Sequence, residues 1–136
     1  CIIPTNQNHG NIQLDFETLL PKLLHPAHAA DARLASIVRD MADRVGAAAF
    51  ARQQLAIIGR PDSRPGLADI ACPAIVIAGR DDALMPHEIH DEQAAGIRGA
   101  DLVILGDCGH LSSIEQPERV NAALAGWLAR LSAGTR

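Results

Sequence analysis

Residues 71–86 read ACPAIVIAGRDDALMP. Positions 71–79 form a continuous apolar run with β-branched side chains, flanked by Pro73 and Gly79, which is the pattern of a strand buried on both faces. Two carboxylates, Asp81 and Asp82, follow at once, ahead of Pro86. Downstream the texture repeats. HEIHDEQAAGIRG (87–99) predicts a helix with an acidic first turn and Gly99 behind it, and DLVILG (101–106) predicts a second buried strand. ERVNAALAGWLARL (118–131) predicts a closing amphipathic helix with Val120, Leu124, Trp127, Leu128 and Leu131 on one side. Strand, helix, strand, helix at this spacing gives parallel strands with right-handed crossovers, an α/β sheet. Two strands buried on both faces cannot cover themselves, so other strands must come from a missing part of the chain or from another copy.

Working outward toward the N-terminus, RPDSRPG (60–66) is a breaker-rich linker. The residues before it read as helices. Phe16 to His25 fits a brief amphipathic helix interrupted or started at Pro21. Asp31 is an N-cap candidate for a helix whose apolar positions Leu34, Ile37, Val38, Met41 and Val45 follow a 3–4 spacing and which stops at Gly46. Another helix is expected from about residue 47 to 58, ended by Gly59 and Pro61. The organisation is therefore a polar N-terminal arm over 1–15, a helical region over 16–60 and an α/β portion over 61–136.

Composition narrows the function classes. The chain has 136 residues and is 48% apolar and 21% charged, which suits one globular domain. Its aromatics are Phe16, Phe50 and Trp127, with no Tyr, too few stacking platforms for a single-stranded nucleic-acid binder. A net charge of −4 with scattered arginines argues against a polyanion partner. Cys1, Cys72 and Cys108 are too few and too widely spaced for a disulfide framework, so a reducing, cytoplasmic setting is expected. No apolar run approaches membrane-spanning length. The chain opens on Cys1, not Met, which suggests that a segment lies upstream.

In open parallel sheets, ligands gather beyond the C-terminal ends of the strands. The loops leaving those ends are GRDDALMP (79–86) and GDCGHL (106–111). One brings carboxylates and the other an imidazole in a Gly-flanked turn. A carboxylate that orients a histidine, and a histidine that moves protons for a nucleophile, is what a hydrolytic triad needs. Asp82 and His110 are the candidate site residues.

Here the sequence resembles the α/β-hydrolase family, over roughly residues 17–131. In that family the acid follows a strand as Gly-x-x-Asp-x-x-x-Pro, matched by Gly79, Asp82 and Pro86. The family's histidine lies in a Gly-His turn before a Glu-x-Pro helix start, matched by Gly109, His110, Glu115 and Pro117. Asp81 falls one residue early, as a solvated group or a helper. LLHPAH and RPDSRP resemble the lid that the family inserts between its earlier and later strands. The resemblance implies the last two strands and flanking helices of that fold, preceded by lid helices. It also implies hydrolysis of a small ester, lactone or related acyl substrate by Ser-His-Asp catalysis, with no cofactor.

The family's nucleophile precedes the acid, in a Gly-x-Ser-x-Gly elbow. No such pentapeptide occurs here. Ser36 is read within a helix, Ser63 in the linker and Ser132 in the tail, while Ser112 and Ser113 follow His110 too closely for an elbow. The chain therefore reads as a truncated hydrolase that pairs with a missing N-terminal half. The alternative is a non-catalytic fragment that self-associates through an exposed sheet edge. A metal at His87, His90, Glu88 and Asp91 is not expected, because the two histidines are three apart, not four, with no Cys nearby. His25 and His28 are likewise read as solvated. Cys108 is expected to be a small buried filler.

Overall fold

The computed structural model describes residues 16–133, and the arm expected over 1–15 lies outside them. The element order is α1 (Phe16–Leu23), α2 (Pro26–Ala29), α3 (Ala32–Ile58), a 3-10 turn (Arg64–Asp69), β1 (Ile75–Gly79), α4 (His87–Gly96), β2 (Asp101–Leu105), α5 (Ser112–Glu115) and α6 (Pro117–Ala133). β1 and β2 are parallel, in the register Ile75 to Asp101 through Gly79 to Leu105. α4 is the crossover between them and packs on both strands.

The sheet is thus parallel α/β, but its strands are shorter and less covered than their sequence predicts. β1 begins at Ile75 because Ala71, Cys72 and Pro73 are exposed, and proline has no N–H for a ladder. Leu102 is 37% exposed, so the second strand is not buried on both faces. Alternation puts Ile77, Val103 and Leu105 on one face, where they pack with Cys108 and with Val120 of α6. α6 buries Val120, whereas Leu124 and Leu128 stay exposed, so its predicted apolar face is only partly covered. Ser132, read as tail, lies in the last turn of α6, where its hydroxyl donates to the Leu128 carbonyl.

The helical region makes a second core. Leu24, Leu34 and Val38 are buried together, with Leu20, Leu23, Leu111 and Ile114 packed around them. Leu111 and Ile114 come from the segment after β2, so this core seats the preceding helices directly on the loop that carries His110. Asp31 caps α3 by accepting from the backbone N–H groups of Arg33 and Leu34. Gly46 has φ 70° and ψ 158° and breaks α3 into two arms at the position where the sequence predicts a stop. That backbone region is nearly reserved for glycine. Met41 and Val45, expected on the apolar stripe, are exposed, and so are Leu55, Ile57 and Ile58 beyond the break. The sequence does not anticipate α2. Pro26 takes its first turn, and the ring Nδ1 of His25 caps it by accepting from Ala27 N–H.

Candidate active site

The two loops at the C-terminal ends of the strands meet because glycine permits it. A methyl group on Gly79 would lie 2.1 Å from the Gly109 carbonyl oxygen and 2.3 Å from that of Cys108. One on Gly109 would lie 2.6 Å from His25 N and 2.8 Å from the Leu24 carbonyl carbon. Backbone bonds then lock the junction. Arg80 N–H donates to the Leu105 carbonyl and Asp81 N–H to that of Cys108, at 2.8 and 3.0 Å. The turn after β2 takes Asp107 into the left-handed region at φ 55°, which Asp tolerates better than most residues. The Gln116 amide closes this turn by donating to the Gly106 and Asp107 carbonyls, and Arg119 also donates to Gly106.

Asp82 is 8% exposed and fully engaged. Its Oδ1 accepts from Leu84 N–H and Met85 N–H at 2.8 and 2.9 Å, an Asx-type turn that fixes the carboxylate plane. Its Oδ2 then lies 2.8 Å from Nδ1 of His110. A carboxylate only accepts, so Nδ1 carries the proton and Nε2 keeps the lone pair in the neutral ring. The imidazole is 35% exposed. Asp81, one residue earlier, is turned away from this pair. Its carboxylate is 42% exposed and lies 3.7 Å from Nε2 of His25.

His25 and His28 are not the solvated residues that the sequence suggests. Nδ1 of His28 donates to Oε2 of Glu115 at 2.9 Å, and His25 presents both its backbone and its ring to this cluster of loops. Sequence reasoning also missed Glu115 as a structural centre. It was matched to a family pattern, but its partners at His25 and His28 lie 90 and 87 residues away along the chain. His87 and His90, by contrast, pair locally, with Glu88 and Gln93.

His25, Asp81 and Asp107 bring one ligand atom each within 4.8 Å of one another. The donor set does not suit a metal ion in this arrangement. Nδ1 of His25 already accepts from Ala27 N–H, so the ring proton is on Nε2, the atom facing Asp81. Coordination there would require an imidazolate or loss of the α2 cap, whereas protein ligands are neutral imidazoles.

Cys108 is fully buried behind the loop, and burial pushes its thiol up to about 11, with the Glu115 charge adding to the effect. A thiol so shielded is a poor nucleophile. Ser112 and Ser113 sit at the start of α5 and Ser36 lies on α3. Among the described residues no serine occupies a strand-to-helix elbow. No helix of the described residues is long and apolar enough to cross a membrane.

The sequence matches the profile of the Alpha/beta hydrolase family over residues 5–123. A 2-hydroxy-6-oxononadienedioate/2-hydroxy-6-oxononatrienedioate hydrolase of Klebsiella pneumoniae is 36% identical over 70 residues, which are 52% of this chain and 24% of that protein. A thermophilic esterase from Thermogutta terrifontis superposes with a TM-score of 0.74 at 34% identity, over 85% of this chain and 43% of its own. The enol-lactonase from Burkholderia xenovorans LB400 gives 0.76 at 26% identity, over 84% and 44% respectively. The chain therefore spans about a quarter of the length of the curated relative and under half of each of the two solved structures. With the profile covering most of its length, this chain belongs to the α/β-hydrolase family.

Proposed function

We propose that this chain is the acid- and base-bearing part of an enzyme that hydrolyses a small ester, lactone or related acyl compound through a covalent acyl-enzyme. The observation that carries the reading is the 2.8 Å contact between Asp82 Oδ2 and His110 Nδ1, with Oδ1 pinned by two backbone amides. In this reading Nε2 of His110 takes the proton from a serine hydroxyl as its oxygen attacks the acyl carbon. The imidazolium returns that proton to the leaving alcohol, and a water activated by the same Nε2 then releases the acid. Asp82 holds the tautomer and stabilises the imidazolium. The serine and the oxyanion donors belong to a segment beyond these 136 residues, since no Gly-x-Ser-x-Gly is present.

Residues 16–60 serve as the lid over the substrate and 61–136 as the end of the hydrolase sheet. The relatives support this substrate range: one is named an esterase and another an enol-lactonase. A fluorophosphonate probe tests the proposal. It should label one serine of the full-length protein stoichiometrically, and labelling should fall by several orders of magnitude in rate in His110→Gln. The 136-residue chain alone should stay unlabelled. Labelling of that chain, or undiminished labelling of H110Q, overturns the reading.

A further inference from the structure

Three consecutive amides of the base-bearing turn are all tied to groups that lie outside it. Gly109 N–H donates to Oε1 of Glu115 at 2.9 Å. His110 N–H and Leu111 N–H both donate to the carbonyl of Leu23, at 3.1 and 3.2 Å. The other oxygen of Glu115 reaches in the opposite direction, to His25 N–H at 2.7 Å and to Nδ1 of His28 at 2.9 Å. The Glu115 side chain has no solvent exposure, so these three donors replace its water. One buried carboxylate thereby joins the start and body of α2, at His25 and His28, to the turn that carries His110.

We infer that Glu115 is a positioning residue for His110: it clasps the turn 109–111 to residues 23–28 and so holds the imidazole against Asp82. The inference rests on the proposed role of His110 and extends it to a residue that touches no substrate. The chemistry of the clasp requires a carboxylate. Each oxygen accepts from an N–H, so an amide at this position would set an NH2 group against at least one of those donors. With the clasp gone, the backbone donors of Gly109 and His25 lose their partner and the turn can relax. The Asp82 carboxylate stays fixed by its own turn, so His110 moves relative to it.

Nitrogen-15 NMR of the full-length protein reads the consequence without any turnover. In the wild-type protein the neutral His110 ring should be almost entirely in the Nδ1–H form. Glu115→Ala and Glu115→Gln should shift it to a mixture in which the Nε2–H form predominates, with the helical circular dichroism retained. Asp82→Asn is the control for the pair itself. If D82N leaves the His110 signals unchanged, the Asp82–His110 pairing fails, and the inference fails with it. If D82N moves them and both Glu115 variants keep the wild-type tautomer, the clasp alone is overturned. Should the Glu115 variants unfold, His28→Ala decides, because it removes one donor from a side chain 28% exposed. A measurable rise in the Nε2–H form supports the clasp, and an unchanged ring overturns it.

Discussion

Asp82 and Asp81 are neighbours in sequence with opposite surroundings: Asp82 lies 2.8 Å from the His110 ring, and Asp81 faces His25 with its carboxylate 42% exposed. The two can therefore be separated by experiment. In the full-length protein, Asp82→Asn is expected to lower kcat/KM for a small ester by about 10⁴-fold, the scale on which loss of the orienting carboxylate acts in a triad. Asp81→Asn should change it by no more than roughly threefold, as expected for an exposed group. Steady-state kinetics of both variants with folding checked by circular dichroism makes the comparison, and equal losses would remove the distinction.

The close approach of the two loops predicts strong intolerance of side chains at Gly79 and Gly109. Gly79→Ala places a methyl group 2.1 Å from backbone oxygen, and backbone cannot step aside as a flexible side chain can. A loss of about 3 kcal/mol or outright failure to fold is expected, at or beyond the upper end of overpacking costs. Gly66→Ala, with nothing within 4 Å, should lie within about 0.5 kcal/mol of wild type. Urea denaturation of the two variants measures the contrast.

Cys72 and Cys108 should differ in reactivity. Cys72 is exposed, while Cys108 is buried with its thiol raised to about 11. Site-resolved alkylation at pH 8 should modify Cys72 at least 10²-fold faster, and mass spectrometry of the digested chain distinguishes them. The sign of the linked stability effect follows. The folded state keeps its proton beyond the ordinary value of 9.0, so stability is intact below about 9 and declines as pH rises from there to about 11. The slope from this group should not exceed about 1.4 kcal/mol per pH unit. Cys108→Ala should flatten that part of the pH–stability curve.

At Gly46 the chain sits at φ 70° and ψ 158° with open space where a side chain would go. Gly46→Ala therefore probes backbone strain without steric clash. It should cost about 1–3 kcal/mol. Asp31→Ala, at the start of the same helix, should cost about 1 kcal/mol through the two amides it leaves uncapped. Thermal melts of each variant give both values.

What was legible in the sequence was local. The loops bearing Asp82 and His110 could be placed because each follows a β-branched run and begins with glycine, and the break at Gly46 because glycine ended a clear 3–4 pattern. Strand extents were overread where apolar composition ran ahead of hydrogen bonding: Ala71, Cys72 and Pro73 look like strand but lie exposed before it. Burial on both faces was overread too, because Leu102, Leu124 and Leu128 report apolar character and not what covers it. The contacts that join His25 and His28 to Glu115 were beyond sequence reach. They join positions 87 and 90 residues apart, and nothing in the spacing of a histidine before Pro26 marks it as a partner of Glu115.

The two amides donated to the Leu23 carbonyl bear on how this protein could be re-engineered. A chimera that exchanges the helices before β1 for those of a relative has an obvious cut in the exposed Arg60–Ser63 linker, and a second cut has to be chosen upstream. If that upstream cut removes residues 23–28, the His28 ring that donates to Glu115 goes with them, and the backbone carbonyl at 23 and N–H at 25 are kept in place only where the graft follows the same path. Grafts that begin after Ala29 keep those partners with the sheet. The seam for recombination therefore falls inside the helical region, one short helix later than element boundaries alone would place it.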